Sequence, residues 1–295
     1  AETEKLKISD GEVKKAGLRI NPRFVMEATY ADKSYYGYIE QLFENGGKRK
    51  QRVKIAKIDK DIVNEEYLNK VLKVKYDIIN AYITHYCNML RLNLYEEIYS
   101  NTQKVLKIAK QRQKTHDKVA FATVELYETN YYNDYITAKA DFQKSFNELN
   151  YLTGGKLNIK DLPEKPNQAN IYNIVEKYNF DFDKQTDDFV TKKIDSKPEI
   201  QAIKKNIDKA VNQEKQAKIQ AVPNTLITVG SSISSSDVTR AGVYTAIGID
   251  LPIHNFGQAD LKIAKAQKQK YEKDLITQKK LIETFNKYYH YDLKA

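Results

Sequence analysis

Asn45-Gly46-Gly47 followed by Lys48, Arg49 and Lys50 is the segment whose residue types most suggest chemistry. A glycine turn opening onto a basic helix start is one way to hold phosphate. The segment recurs, and that points elsewhere. Ile39–Lys57 reads IEQLFENGGKRKQRVKIAK, and Ile249–Lys265, about 210 residues later, reads IDLPIHNFGQADLKIAK. An apolar strand-like run, an acidic residue, an Asn, a Gly and a lysine-rich helix start come in the same order both times. This is an internal duplication. Glycine permits backbone geometry that redirects a chain, so Gly46, Gly47 and Gly257 are expected to be joints where a strand becomes a helix.

The other reactive side chains do not assemble into a recognisable site. His85, His116, His254 and His290 are far apart and lack metal-ligand spacing with Cys or carboxylates, so no metal site is expected. No Ser/His/Asp cluster, phosphate loop or HExxH occurs, and neither catalysis nor a cofactor is expected. Glu40 and Asp250 hold equivalent positions in the two repeats, each on the more polar face of its strand.

These residues sit in a chain of 295 residues, 30% charged and 41% hydrophobic, with 11 Gly and 6 Pro, a composition suited to long amphipathic helices. The formal charge of +10 comes mostly from lysines at helical spacing, which read as solvated faces. No nucleic-acid-binding pattern accompanies them, so no nucleic-acid partner is expected. Cys87 is the single cysteine and lies in an apolar helical stretch, which excludes an intrachain disulfide and suits a buried small hydrophobe. No run of 18 apolar residues exists, which excludes a transmembrane helix but not a barrel of short alternating strands. Starting at Ala1 without a signal peptide and stopping in a helical pattern at Ala295, the sequence reads as a processed or partial piece of a longer protein.

Residues 1–20 carry a short helical pattern closed by Gly17 and Asn21-Pro22. Strands are expected over about 22–30 and 35–44, where side chains alternate, joined as a hairpin at Ala31–Ser34. From Lys48 to about Lys114 neither proline nor glycine occurs, and apolar residues recur at steps of three and four. Such a helix is roughly 100 Å long and must pair along its length as a coiled coil or helical wall. The pattern falters at Thr115–Lys118 and resumes near Ala122, running to Gly154-Gly155. An αα-hairpin with its tip near 115–121 is therefore expected.

Residues 154–193, interrupted by Pro163 and Pro166 and holding a short helix candidate at Ile171–Tyr178, read as a connector between a first repeat (1–153) and a second (194–295). The second repeat restarts at Pro198 with a helix to 221, followed by strands at about 224–233 and 243–253 and a helix from Gln258 onward. In the last strand Val243, Ile247, Ile249 and Leu251 share a face suited to lipid, and the opposite face suits water.

Each repeat thus reads helix, strand, strand, helix. Together with Asn21-Pro22, Glu40–Arg52 (EQLFENGGKRKQR), Pro223 and Gly248–Ala266 (GIDLPIHNFGQADLKIAKA), this order resembles the TolC family of trimeric outer-membrane efflux channels over nearly the whole chain. Gln41, Glu44, Gly46, Gly47, Lys48 and Arg49 look most like the heavy-metal branch of the CzcC or CusC type. The family often has glycine at the first hairpin tip, where this chain has Asp117.

The resemblance implies a fold that is mainly α with a small β part. It also implies a homotrimer whose long helices form an α-barrel across the periplasm and whose subunits each give four strands to one barrel in outer-membrane lipid. Pooling strands abolishes edges that lipid does not tolerate. The glycine joints then connect membrane strands to tunnel helices, with Lys48, Arg49 and Lys50 just below the bilayer. Glu40 and Asp250 become lumen carboxylates favouring cations. Tyr30, Tyr35, Tyr36 and Tyr38 become an interfacial girdle. The turn His116, Asp117, Lys118, Val119 becomes the docking tip for a periplasmic adaptor, which links the channel to an inner-membrane pump. Heavy-metal cations are the first expected cargo, with drugs second and secreted polypeptide third. A soluble coiled-coil scaffold is the rival from another class, and it leaves the duplicated strands unexplained.

Overall fold

The structure, a computed structural model, describes residues 2–30, 33–113, 118–162, 193–234 and 240–292, with side chains omitted at 113, 161 and 286–292. The elements are α1 (Glu2–Ala16), β1 (Arg23–Thr29), β2 (Ser34–Phe43), α2 (Lys48–Gln113), α3 (Lys118–Leu152), α4 (Pro198–Gln220), β3 (Thr225–Ser234), β4 (Arg240–Ile249) and α5 (Gln258–Asp292). Helix dominates, and the order helix, strand, strand, helix occurs on both sides of α3. Two compact units form, one from Ala1–Asn69 with Lys184–Ala295 and one from Lys70–Asp183, and α2 begins in the first and continues into the second.

In the first unit, β1 to β4 make one antiparallel sheet in sequence order. Period-two alternation forms these strands, and turn-forming residues and proline bound them. The helices α4 and α5 pack together around Ile194, Ile200 and Ile282, with Leu275 against them. Nearer the sheet, buried Ala210, Ala217 and Ala264 let backbones approach closely. Ion pairs tie α4 to the start of α2 at Lys209–Asp59 (2.7 Å) and Lys205–Glu65 (3.4 Å), and tie α1 to α2 at Lys60–Asp10 (2.7 Å). Being partly exposed, such pairs contribute little individually, ~0–1 kcal/mol each. They set register rather than supply the core.

The second unit is an antiparallel pair of helices. His85 meets Ser145 at 3.1 Å, Arg91 meets Asp141 at 3.5 Å, and Tyr99 stacks on Tyr135 with centroids 5.8 Å apart. Ala81, Tyr86, Ala138 and Leu149 are buried between them, whereas Leu72, Leu94, Val105, Ile108 and Leu126 are exposed. The apolar stripe is wider than one partner helix covers.

Three expectations need correction or relocation. The returning helix begins at Lys118, four residues before Ala122, so Lys118 and Val119 belong to a helix rather than a turn. Val119 is 80% exposed. Apolar periodicity marks burial, so it is blind to a solvated first turn. Strand β4 runs Arg240–Ile249 rather than 243–253, which leaves Asp250 and Leu251 beyond its end. Its partner β3 starts only at Thr225, after Pro223, and Pro252 has no N–H for a ladder. Cys87 is exposed, because it points away from the α2–α3 contact that buries its neighbours His85 and Tyr86. His116 and Asp117, the helix candidate at 171–178 and most of the 154–193 connector lie outside the described residues.

Candidate functional site

The register sorts the sheet into two chemically different faces. On one lie Phe24 and Met26 of β1, Tyr35, Ile39 and Phe43 of β2, Ile227, Val229 and Ile233 of β3, and Val243, Ile247 and Ile249 of β4. All are exposed, Met26 at 77%, Val243 at 83% and Ile247 at 74%. A contiguous apolar surface of this size is unstable in water and marks contact with lipid or protein. Strands β2, β3 and β4 are 10 residues each, the length that crosses a hydrocarbon layer at a tilt. Among the described residues no helix is long and apolar enough to cross a membrane. Among the described residues both β1 and β4 have an edge without a strand partner. Four strands are too few to close a barrel.

The opposite face is polar and aromatic. Arg23 Nε donates to Glu40 at 2.8 Å, and the Tyr38 hydroxyl donates to Glu27 at 2.7 Å. Tyr38 pairs across Gly230 with Tyr244, and their rings meet at 5.8 Å. A Cβ on Gly230 would collide with the Cβ of Tyr38 and the carbonyl of Gly37. Gly230 therefore lets the two rings close over the middle strand. Of these residues the sequence singles out only Tyr38, as part of an interfacial girdle, and not Glu27, Gly230 or Tyr244. Strand alternation puts them on the polar face, but only the register places them together.

The two joints share one device. Gly47 and Gly257 both have positive φ (78° and 83°), and the carbonyl of each accepts the first bond of its helix, from Gln51 at 3.0 Å and from Leu261 at 2.9 Å. Each glycine is thus an N-cap in a conformation that other residues adopt at a cost. Gly46, at φ 68°, packs against Val222, and an added Cβ would sit 2.9 Å from that side chain. At Gly257 an added Cβ would run into the carbonyl oxygen of Ala217 in α4. The neighbouring asparagines differ: Asn45 donates to Pro223 O (3.0 Å) and Thr225 Oγ1 (2.8 Å) across the sheet entrance, while Asn255 accepts from the Gly257 N–H (3.1 Å).

The basic run after Gly47 is largely committed to structure. Lys48 donates to Asn224 at 2.8 Å, and Arg49 donates to the carbonyl of Gly17 at 2.6 Å. Arg52 reaches the carbonyl of Ala16 at 3.0 Å and grips Glu44 in a fork at 2.6 and 3.0 Å. These guanidinium groups satisfy the free carbonyls at and beyond the C-terminal end of α1. The Arg52 fork holds the Glu44 carboxyl below the ordinary carboxylate range and raises the arginine in turn.

Glu40 and Asp250 are not brought together. Glu40 pairs with Thr228, and Thr228 with Ala246, four residues up β4 from Asp250. At ~3.3 Å per residue that separates them by about 13 Å along the strand. The duplicated sequences align, but Pro252 frays the second strand early. Asp250 and Leu251 are exposed, as are Val243, Ile247 and Ile249. Tyr30 and Tyr35 lie exposed at the hairpin end, whereas Tyr36 and Tyr38 lie on the polar face with Tyr244. Among the described residues no group of three His, Cys, Asp or Glu could hold a metal ion. His85 is buried, stacked on Phe142 at 4.7 Å and bonded to Ser145, and burial lowers its pKa. It is a packing residue.

The mostly helical chain with its four-stranded sheet has the fold of TolC-family outer-membrane channels. The chain is similar to the channel protein CusC at 13% identity and a TM-score of 0.67, over 96% of this chain and 68% of that one. It is similar to a membrane protein from Pseudomonas aeruginosa at 14% identity and a TM-score of 0.71, over 96% and 70%. The Campylobacter jejuni outer-membrane channel CmeC matches at 14% and 0.66, over 96% and 66%. The chain spans about two thirds of the length of these solved proteins. No protein-family model and no curated protein sequence matches it.

Proposed function

We propose that this chain is a subunit of an outer-membrane efflux channel, a passive conduit from periplasm to exterior. Three copies pool four strands each into one closed barrel, with the apolar face toward lipid and the Tyr38–Tyr244 face toward the lumen. The observation that carries this is the sheet itself: one largely apolar face with eleven exposed large side chains, one polar face and two edges open among the described residues. Closure in lipid satisfies all three features together. The exposed apolar stripes on the α2–α3 pair call likewise for neighbouring helices, as in a tunnel wall. The fold similarity to outer-membrane channels supports the same reading. Purified protein in detergent is expected as a heat-resistant trimer that conducts ions in planar bilayers. A soluble elongated dimer without conductance would refute the proposal in favour of a coiled-coil scaffold.

Within this reading, heavy-metal cations are the first cargo, supported by the likeness to CusC, followed by small organic compounds and secreted polypeptide. A transported cation needs a wide wet path rather than a cage of ligands. Glu40 and Asp250 act as lumen carboxylates at two levels, with Glu40 shared by Arg23. An unchanged cation-to-anion permeability ratio after neutralising both would remove that role. The tip that begins α3, including Lys118 and Val119, docks a periplasmic adaptor coupled to an inner-membrane pump. Site-specific crosslinks from these positions test it, and intact crosslinking and export after substitution of residues 115–121 would exclude it.

A further inference from the structure

Four helix ends meet the sheet at its joints, and they carry an excess of positive charge. Lys14 and Arg19 lie at the end of α1, Lys50 and Lys54 at the start of α2, Lys218 at the end of α4 and Lys262 at the start of α5. All six are exposed, and none has a carboxylate partner among the described residues. They share one level because the joint is tightly bonded: Arg49 and Arg52 bind the carbonyls of residues 16–18, Asn45 binds Pro223 O, and Gly257 packs on Ala217. Of the carboxylates at this level, Glu44 is already consumed by Arg52, and Asp260 in the first turn of α5 offsets one of the six cations, which leaves the excess positive.

Helix dipoles account for Lys14 and Lys218, which stand near C-terminal ends. They do not account for α2. Its first turn has no acidic residue, Lys48, Arg49 and Lys50 crowd the positive end of the dipole, and Arg52 and Lys54 follow in the next turn. Arg49 and Arg52 have structural partners that explain them, but Lys50 and Lys54 do not. A local preference violated without an internal gain points to something outside the chain. The next layer of the molecule says what: the exposed apolar face begins at Phe43 and Ile249, a few residues above these cations. An apolar surface bordered by exposed ammonium groups is complementary to acyl chains bordered by phosphate.

We propose that this basic belt binds the phosphate groups of anionic phospholipids in the leaflet beside the joints, and so fixes the depth and orientation of the sheet in the bilayer. The inference rests on the reading that the sheet spans a membrane.

The test is lipid selectivity of the full chain reconstituted in phosphatidylcholine vesicles containing a minor share of spin-labelled phosphatidylglycerol or spin-labelled phosphatidylcholine. The motionally restricted fraction of each label measures binding at the protein surface. Phosphatidylglycerol is expected to be preferred about threefold or more at low salt. The preference should collapse towards one in about 1 M salt, where the Debye length is roughly 3 Å. The quadruple substitution K14Q, K50Q, K54Q and K218Q should abolish the preference while the protein still inserts. If that variant does not assemble, the salt dependence of the unaltered chain decides. Insertion with equal affinity for the two labels, or a preference that salt leaves unchanged, would overturn the belt alone. Failure to insert into any vesicle would overturn both the belt and the membrane reading.

Discussion

Gly257→Ala isolates the physical requirement at the second joint. Two costs follow from the geometry. At φ 83° alanine occupies a conformation that costs an L-residue about 1–2 kcal/mol. Its methyl group also meets the Ala217 carbonyl oxygen, a backbone atom that can retreat only by moving α4, at about 1–3 kcal/mol. Gly47→Ala is the internal control: it has φ 78° and the same N-cap role, but nothing lies within 4 Å of an added Cβ, so only the first cost applies. Gly257→Ala is therefore expected to destabilise by ~2–5 kcal/mol and Gly47→Ala by ~1–2 kcal/mol. Thermal unfolding followed by far-ultraviolet circular dichroism in detergent reads the difference. For a chain of this size each kcal/mol moves the midpoint by roughly 2–4 °C. Equal midpoints for the two variants would refute the claim that close approach of α5 to α4 makes glycine obligatory at 257. Gly47→Asn should fall nearer to the unaltered chain than Gly47→Ala, because asparagine tolerates positive φ.

Val243→Arg places a charge on the apolar face near mid-strand and should cost ~2–4 kcal/mol of insertion into bilayers, whereas Tyr244→Ser, one residue away on the polar face, should insert normally; vesicle flotation compares them. Glu44→Gln should lower stability at neutral pH by roughly 1.5–3 kcal/mol, the range for a hydrogen bond to a charged group. Because Arg52 lowers the Glu44 pKa, that contribution is present above the ordinary carboxylate value and fades as pH falls through the lowered one, so the two proteins should converge in acid melts. Burial lowers the His85 pKa, so the unfolded chain binds the proton first and stability should drop as pH falls below about 6.5. His85→Phe should flatten that dependence between pH 7.5 and 5.5, and an unchanged slope would exclude His85 as its source.

Periodicity alone carried much of this protein. Alternation at Arg23–Tyr30 and Val243–Ile249 specified strands with one apolar face, and the glycine-free run from Lys48 specified a single long helix, because both patterns are local consequences of backbone geometry. The repeated Gly marked the helix starts for the same reason: positive φ is a property of one residue. Tertiary structure decided what depends on distant partners. Glu40 and Asp250 align in the repeats but lie at different levels, because the register of three strands sets Glu40 beside Thr228 and Ala246, four residues before Asp250. Arg49 reads in the sequence only as one of three basic residues below the bilayer, yet it and Arg52 cap α1, an element more than thirty residues earlier in the chain. Tyr38, Gly230 and Tyr244 form one cluster only through a register that joins three strands. Local sequence sets conformation residue by residue, whereas levels, caps and cross-strand clusters arise only when segments far apart in sequence are held against one another.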